Sequence, residues 1–211
     1  MDVLRHSSPG TCPQAQALEA ECATLLGVAH AVAVSSGTAA LHLALTSLGV
    51  GPHDEVIQPA INTVAAANMT VAVGAEPVFA DVVSADYPLV GPEQVERAWT
   101  SRTVAVVVNH YAGYPCDVES LREYCDDQGL VLIEDASHAL GVRWRGRPLG
   151  TWGDVGCFSL SVDTNPAAGG GGLLVTDRDD VAERVRAPVS YTHLRAHETP
   201  EHLVCRLLLE K

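Results

Sequence analysis

The chain has 211 residues, of which 47% are apolar and 18% are charged, and its formal net charge at pH 7 is −13. This acidic balance argues against a nucleic-acid partner, because binding to a phosphate backbone needs a basic surface. No apolar run approaches the roughly 18 residues that span a bilayer, and the N-terminus lacks a signal segment, so we expect a cytoplasmic protein without a membrane partner. The sequence has 13 basic residues, and all of them except Lys211 are arginine.

Apolar runs typical of strands alternate with segments of helical periodicity along the chain. The spacing of Leu18, Cys22 and Leu25 predicts a first helix, which Gly27 is well placed to end. Further helices are predicted at residues 38–48, 64–73, 92–99 and 118–128, and a last one begins near Asp179. Strands are predicted at residues 31–34, 55–58, 77–81, 104–108, 130–134, 155–160 and 173–176, with a hairpin-like stretch at 144–147.

The strands at residues 104–108 and 130–133 are continuously apolar, as in sheets that are buried on both faces. Alternation of strands and helices with short connections predicts an α/β fold, with one mainly parallel sheet flanked by helices in a single domain. Ligands bind such sheets at the carboxyl ends of the strands. The residues that follow each strand are therefore the candidate site residues.

The cysteine and histidine patterns favour neither a disulfide framework nor a metal site. Six cysteines in a chain of this length are sparse and include no CxxC pair, which indicates reduced thiols. The nine histidines form no HExxH or HxH motif, so no metal ligand is predicted.

Residues 188–211 differ in character from the rest of the chain. Up to Ala187 the sequence is rich in Ala and Val, whereas the last segment holds three of the nine histidines and the lysine. From Val189 onward it resembles the in-frame translation of a sequencing adapter, with a variable index at Pro200 and Glu201. We expect residues 1–187 to be a partial domain of a longer protein and residues 188–211 to be a non-native tail. The alternative is an ordinary amphipathic helix at residues 203–209.

The segment Ser35-Ser-Gly-Thr-Ala-Ala40 follows the first strand and leads into a helix. Small residues at a helix N-terminus expose backbone N–H groups to an anion, which the helix dipole also favours. The alternative is simple N-capping by Ser36 or Thr38.

Other candidate residues follow later strands. In Glu134-Asp-Ala-Ser-His138, a strand-end carboxylate with a nearby histidine has the chemistry to pair with a cationic ring nitrogen; the alternative is an N-cap with a core histidine. His110 follows the strand at 104–108. The four glycines at 169–172 follow another strand and more often mark a tight bend than a phosphate cradle.

Taken together and in this order, these segments resemble the DegT/DnrJ-type sugar aminotransferases, a pyridoxal-phosphate-dependent family with the aspartate-aminotransferase fold. The resemblance covers essentially all of residues 13–187. The matching stretches are residues 30–45, 51–57, 74–81, 110–115, 134–141 and 153–159.

The resemblance implies that the cofactor is pyridoxal 5′-phosphate, with pyridoxamine phosphate as its aminated form. Asp135 would face the pyridine nitrogen and keep it protonated, which makes the ring a better electron sink. His138 would stand near the ring. The cofactor phosphate would bind at four residues of a helix N-terminus and a strand end: Gly37, Thr38, Ala39 and Ser159. Family members transfer an amino group from glutamate to a nucleotide-linked keto-sugar and act as homodimers.

Two positions depart from the family pattern. Thr164 stands five residues after Ser159, where the family has the lysine that forms the Schiff base, and residues 1–187 contain no lysine that could replace it. A threonine hydroxyl can neither form an imine nor shuttle the substrate proton. Thr63 stands where the family has an aromatic residue stacked on the pyridine ring, and losing it would weaken cofactor binding.

We therefore expect a truncated sugar-aminotransferase homologue that is itself inactive. Two alternatives keep the fold: a non-catalytic cofactor- or sugar-binding subunit, and a lysine-independent sugar dehydratase that uses pyridoxamine phosphate. A dinucleotide-binding protein is disfavoured because no GxGxxG motif follows the first strand.

Overall fold

Strands and helices alternate along the chain in the computed structural model, which describes residues 12–161 and 169–194. The helices are α1 (Pro13–Leu26), α2 (Gly37–Ser47), α3 (Ala65–Ala72), α4 (Pro92–Ala98), α5 (Val118–Gln128) and α6 (Asp179–Leu194), with a 3₁₀ turn at Tyr111–Gly113. The strands are β1 (His30–Val34), β2 (Glu55–Pro59), β3 (Glu76–Ala80), β4 (Thr103–Asn109), β5 (Val131–Asp135), β6 (Arg143–Trp144), β7 (Arg147–Pro148), β8 (Val155–Ser159) and β9 (Gly172–Thr176).

Seven strands form one sheet in the order β1-β9-β8-β5-β4-β2-β3, and β6 pairs with β7 as a separate short hairpin. The pairs β2–β3, β2–β4, β4–β5 and β5–β8 are parallel, whereas β9 runs antiparallel to both β1 and β8. The prediction of a mainly parallel sheet flanked by helices is therefore confirmed. The antiparallel β9 brings the chain back beside β1 and the start of α2.

Local signals in the sequence fix several helix ends. Gly27 ends α1 in the left-handed conformation with φ +70°, and its N–H donates to Ala23 O at 2.8 Å. Gly129 ends α5 in the same way, with φ +67°. Glycine adopts this conformation without the steric cost that a Cβ imposes. The predicted end of the first helix is thus confirmed.

Two hydrophobic clusters fill the two faces of the sheet. On one face Val107, Ile133 and Cys157 pack with Leu41 and Leu45 of α2. The other face carries Val106, Leu132 and Phe158, which pack with residues of α1 and α5. Because successive strand residues point to opposite faces, the clusters show which face each strand-end side chain occupies.

Burial makes most of the described cysteines unreactive. Among the described residues, Cys12 is exposed and Cys22, Cys116, Cys125 and Cys157 are buried, and all are free thiols. Desolvation raises the pKa of Cys125 to about 12 and raises the pKa of Cys116 and Cys157 well above 9.0. Buried apolar surroundings disfavour the thiolate, so these side chains pack as small hydrophobes.

The predicted boundary between residues 187 and 188 falls within α6, and the side chains of this helix are described as far as Ala187. The alternative helix at residues 203–209 lies outside the described residues. In the part of the chain that the structure describes, no helix is both long and apolar enough to cross a membrane.

Candidate functional site

Polar side chains gather on one face of the sheet at the carboxyl ends of its strands. Asn109 and Asp135 end the neighbouring strands β4 and β5 and are partners in their parallel register. Ser159 ends β8, the strand on the other side of β5. Val107, Ile133 and Cys157 lie two residues earlier in the same strands and pack on the face that α2 covers. Because side chains alternate between the two faces along a strand, the three polar residues lie on that face too. Three of the sheet's strands therefore deliver a polar residue to one place.

Asp135 is a buried carboxylate with 6% of its surface exposed. Its Oδ1 accepts hydrogen bonds from the Ser137 hydroxyl at 2.6 Å and the Ser137 N–H at 3.2 Å. Burial raises the pKa of Asp135, and this effect outweighs the lowering by the Ser137 hydrogen bonds and by the charges of His138 and His110. The hydrogen bonds and charges around Asp135 therefore do not offset the cost of burying its negative charge, and a cation placed beside the carboxylate would be strongly favoured.

The start of α2 lies against this carboxylate through Ser137. A Cβ added to Gly37 would lie 3.0 Å from Ser159 Cβ and 3.2 Å from Ser137 Oγ, so the first residue of the helix must be small. Ser36 is the N-cap, and its hydroxyl accepts a hydrogen bond from the Ala39 N–H at 3.0 Å. N-capping by Ser36 is thus present at the same helix end that is predicted to bind phosphate.

Gly172, the first residue of β9, permits a close approach to the same helix end. Gly172 pairs with Ser159, and a Cβ at Gly172 would lie 2.7 Å from Gly37 N and closer still to the Ser36 carbonyl. Gly171 forms an isolated bridge with Ser36. Close contact of backbone with backbone, which any side chain would prevent, therefore explains Gly172. The other three glycines of the run have open space or ordinary contacts around them, and they adopt positive φ values of +83°, +143° and +110°, which favour glycine.

His138 lies just beyond Asp135 at the edge of the site. Its Nδ1 accepts a hydrogen bond from the Ala112 N–H at 3.4 Å, and its ring meets that of Tyr111 edge-on at 6.3 Å. The ring is half-buried. His110, by contrast, is fully buried on the opposite face of the sheet, where its Nε2 lies 2.9 Å from Glu134 Oε2. Of the two candidate histidines, only His138 lies at the site.

Two asparagines at this edge are site residues that the sequence reasoning missed. Asn109 Nδ2 donates to Ile61 O at 3.3 Å and to Asn62 Oδ1 at 3.1 Å, which ties the end of β4 to the loop after β2. The sequence could have pointed to Asn109, because it is the polar residue that ends a continuously apolar strand. No local sequence pattern points to Asn62, because its position at this edge depends on how β2 and β4 pair.

The other predicted site residues are exposed or lie outside the described residues. Thr63 is exposed in the loop after β2, and its N–H donates to Asn62 Oδ1 at 2.7 Å. Thr38 is exposed in the first turn of α2. Thr164 lies outside the described residues. Within residues 12–161 and 169–194, no group of three or more His, Cys, Asp or Glu side chains could hold a metal ion.

Fold and site together define a class of α/β protein in which a buried carboxylate and a helix N-terminus meet at one edge of a mainly parallel sheet. The sequence matches the model of the DegT/DnrJ/EryC1/StrS aminotransferase family over residues 1–202. The chain therefore belongs to this family.

Solved structures of aminotransferases have the same fold. DesV from S. venezuelae, solved in complex with a ketimine intermediate, is 38% identical with a TM-score of 0.84, over 95% of this chain and 53% of that one. TlmJ from Streptoalloteichus hindustanus is 40% identical with a TM-score of 0.83, over 88% of this chain and 51% of that one. DesI, solved in the presence of its TDP-sugar product, is 39% identical with a TM-score of 0.80, over 89% and 47%. The chain thus spans about half the length of these relatives.

Proposed function

We propose that this chain binds pyridoxal 5′-phosphate at the carboxyl edge of its sheet and is the cofactor-binding part of a sugar aminotransferase. The observation that carries the proposal is the buried Asp135 carboxylate, which accepts a hydrogen bond from Ser137, whose hydroxyl faces the space where a Gly37 side chain would lie. Membership of the aminotransferase family supports it, as does the similarity to DesI, a protein solved with its TDP-sugar product. The substrates we propose are a nucleotide-linked keto-sugar and an amino-acid donor such as glutamate.

The described residues fit this cofactor in charge and shape. Asp135 would hold the protonated ring nitrogen, and the pairing would relieve the cost of burying its charge. The phosphate would bind at Gly37 and Thr38, because the first N–H groups of a helix have no acceptor within the helix. It would also bind at Ala39, whose N–H would exchange its bond to the Ser36 hydroxyl for one to the phosphate. Ser159 borders Gly37 and would add its hydroxyl. When bound, the protonated pyridine ring withdraws electrons from the carbon that loses its proton.

His138 would lie against the ring from the side of the 3₁₀ turn. Its contact with Tyr111 and its hydrogen bond from the Ala112 N–H hold the imidazole in place. A half-buried imidazole at this position would exclude water from one side of the ring. We propose a positioning role for His138 in cofactor binding.

We also propose that the chain as it stands does not catalyse transamination. Thr164 occupies the position of the family lysine, and no lysine precedes Lys211 in the sequence. Without an amine at this position, nothing holds the cofactor covalently or moves a proton between the carbon atoms of substrate and cofactor. The Thr63 side chain further weakens the site, because it offers no aromatic face to the ring.

Covalent trapping tests the position of Thr164. The chain with Lys211→Arg, incubated with pyridoxal phosphate and reduced with borohydride, should gain no covalent cofactor at any position other than the N-terminal amine, as followed by mass spectrometry with peptide mapping. Adding Thr164→Lys in that background should give one further reduced adduct, located at residue 164. A Thr164→Arg chain is the matched control, since it adds a cation without an imine-forming amine.

Three outcomes would contradict the proposals separately. Glutamate-dependent transamination by the unaltered chain would contradict its inactivity. Absence of an adduct at residue 164, in a chain that binds pyridoxamine phosphate, would contradict the assignment of Thr164. Failure of the unaltered chain to bind pyridoxamine phosphate would contradict the cofactor site itself.

A non-catalytic subunit is the second candidate function, and the absence of lysine from residues 1–187 favours it. In that case the chain would bind cofactor or sugar and pair with an active copy. A lysine-independent dehydratase that uses pyridoxamine phosphate is the other alternative, tested by incubating the chain with that cofactor and a nucleotide keto-sugar. Light scattering, alone and with a catalytic homologue, distinguishes a homodimer from a mixed pair.

We propose that residues 188–211 are a non-native tail and that residues 1–187 belong to a longer cytoplasmic protein. Genomic DNA across the codons for residues 155–187 and beyond tests this directly. Finding the codons of residues 188–211 in the genome would overturn it. The same DNA sequence shows which residue the gene encodes at position 164.

A further inference from the structure

The β6–β7 hairpin concentrates positive charge in a chain that is acidic as a whole. Arg143, Arg145 and Arg147 lie in this short hairpin, while the formal net charge of the chain is −13. Most of the arginines that the structure describes pair with a carboxylate. Among the described residues, however, no carboxylate pairs with Arg143 or Arg147. Two guanidinium charges on the hairpin are therefore not neutralised by the described part of the chain.

Neutral groups hold both of these guanidinium groups in place. Arg143 Nη1 donates to the Gly146 carbonyl at 2.8 Å. Arg147 Nε donates to Thr151 Oγ1 at 3.2 Å, and Arg147 Cζ lies 4.9 Å from the centre of the Trp152 ring. A guanidinium group has five N–H donors. Each side chain is therefore positioned in advance and still has donors and its full charge for a partner.

A tight turn fixes the tip of the hairpin. Arg145 and Gly146 connect the two strands and both have positive φ, +48° and +85°, as in the two-residue turns that match the twist of a hairpin. Arg145 also pairs with Glu119, so the tip lies against the first turn of α5. Arg143 and Arg147 occupy different register pairs, so they project from opposite sides of this fixed tip.

An acidic row begins at the same point and follows α5. Glu119, Glu123 and Asp127 are spaced four residues apart, so they lie along one side of the helix over about 12 Å. Glu119 pairs with Arg145. Glu123 and Asp127 are exposed, and no arginine among the described residues pairs with them. The hairpin and the acidic row therefore form one continuous surface with a positive end and a negative end.

A surface of this kind is complementary to a copy of itself. A twofold axis through the middle of the acidic row places the hairpin of each copy on the exposed carboxylates of the other, so that every contact occurs twice. A surface with charge of a single sign would instead repel its copy. The acidic balance of the chain disfavours a nucleic acid as the partner of the hairpin.

We propose that the β6–β7 hairpin and the acidic row form an interface between two copies of this chain. Arg143 and Arg147 of one copy pair with Glu123 and Asp127 of the other. The hairpin and α5 both pack on the hydrophobic cluster of the sheet face opposite α2. The interface is therefore separate from the proposed cofactor site and additional to any pairing of copies there. Exposed ion pairs are individually weak and are screened by salt, so the association is weak and salt-dependent.

Charge reversal in the full chain tests this interface. Sedimentation velocity should show a reversible association of the unaltered chain that weakens at least about tenfold between about 50 mM and 500 mM salt. The hairpin variant, Arg143→Glu with Arg147→Glu, and the helix variant, Glu123→Arg with Asp127→Arg, should each weaken it at least about tenfold, because repulsion replaces attraction. An equimolar mixture of the two variants should restore the association, because each reversed surface then meets its complement.

The helix variant separates specific pairing from overall charge. It adds four positive charges to a chain of net charge −13, so general repulsion alone would predict stronger association rather than weaker. Glu21→Arg with Glu183→Arg is the matched control, because these exposed residues on α1 and α6 give the same change in net charge. This control should associate at least as tightly as the unaltered chain. Circular dichroism should show the same fold in every variant.

Three results would overturn the interface. The first is no salt-dependent association of the unaltered chain at about 1 mM protein. The second is a helix variant that associates as tightly as the unaltered chain. The third is a mixture that associates no better than the two variants alone, because the hairpin and the acidic row would then not face each other. If copies also pair at the cofactor site, the same substitutions should abolish only the step from dimer to tetramer.

Discussion

The carboxylate of Glu134 and the imidazole of His110 form a fully buried pair, with 2.9 Å between Oε2 and Nε2. Glu134 Oε2 also accepts from the Gly150 N–H, and Glu134 Oε1 accepts from the N–H groups of Trp152 and Gly153. One side chain thus ties β5 to the end of β4 and to the loop before β8. It lies next to Asp135 in the chain but on the opposite face of the sheet, so it stabilises the strand end on which the site is built.

Removing this carboxylate should destabilise the chain strongly. Glu134→Ala leaves three backbone N–H groups and His110 without their acceptor, and we expect the free energy of unfolding to fall by about 3–5 kcal/mol. Glu134→Gln keeps one oxygen and should cost about 1.5–3 kcal/mol. Urea unfolding followed by circular dichroism measures both. Glu93→Gln, which alters an exposed pair with Arg97, should leave the midpoint unchanged, and equal effects at Glu93 and Glu134 would refute the prediction.

Asp135→Asn should stabilise the free chain at neutral pH while weakening cofactor binding. Burial raises the pKa of Asp135 above its ordinary value of 3.8, so the folded state binds this proton more tightly than the unfolded state. The free energy of unfolding of the unaltered chain, compared with that of Asp135→Asn, therefore falls as the pH rises from 3.8 through the folded-state pKa of Asp135. Urea midpoints of the two chains across this range should diverge, with Asp135→Asn the more stable at the upper end.

Asp180→Asn provides a control of opposite sign. Hydrogen bonds from Arg178 lower the pKa of Asp180, so its contribution to stability is present above 3.8 and is lost as the pH falls. If the urea midpoints of both variants, compared with the unaltered chain, changed with pH in the same direction, the overall charge of the chain rather than burial would explain the effect at Asp135. Pyridoxamine phosphate titrations on Asp135→Asn complete the test, and undiminished affinity would contradict the proposed contact with the ring nitrogen.

Thr63→Phe should tighten cofactor binding. The aromatic ring would restore a stacking surface at the position where the family has one, worth about 0.5–1.5 kcal/mol, or roughly two- to tenfold in affinity. The Thr63 N–H bond to Asn62 involves only backbone of residue 63 and is retained. Val64→Phe, at the neighbouring exposed position, controls for added apolar surface. Equal gains from both variants, measured by titration with pyridoxamine phosphate, would argue against stacking at residue 63.

Gly37→Ala should lower both stability and phosphate-ligand affinity. The new Cβ would crowd Ser159 and Ser137, and relieving the contact costs about 1–3 kcal/mol and shifts the start of α2. Gly51→Ala is the matched control, because its Cβ would meet only Val73 O at 4.0 Å. Thermal unfolding and pyridoxamine phosphate titration of both variants check the prediction. An unchanged affinity in Gly37→Ala would place the phosphate elsewhere.

The sequence by itself determined the elements and the family. The apolar runs in β4 and β5 predict buried parallel strands, Gly27 predicts the end of α1, and Asp135 at a strand end predicts a carboxylate at the site. These are local properties, because backbone propensity, capping and side-chain alternation depend on residues that are near one another in the chain. The ordered motifs around them are sufficient to identify the aminotransferase family.

Only the tertiary structure decided which strand ends share a face with α2. It places His110 and Glu134 on the far face and Asn109 on the near one. It also brings Asn62 within hydrogen-bond reach of Asn109, at a sequence separation of 47. Strand order and the antiparallel return of β9 arise from pairings between distant segments, for which no local pattern exists. The hydrogen bond between Asn109 and Asn62 is a product of that pairing, because β2 and β4 must meet before it can form.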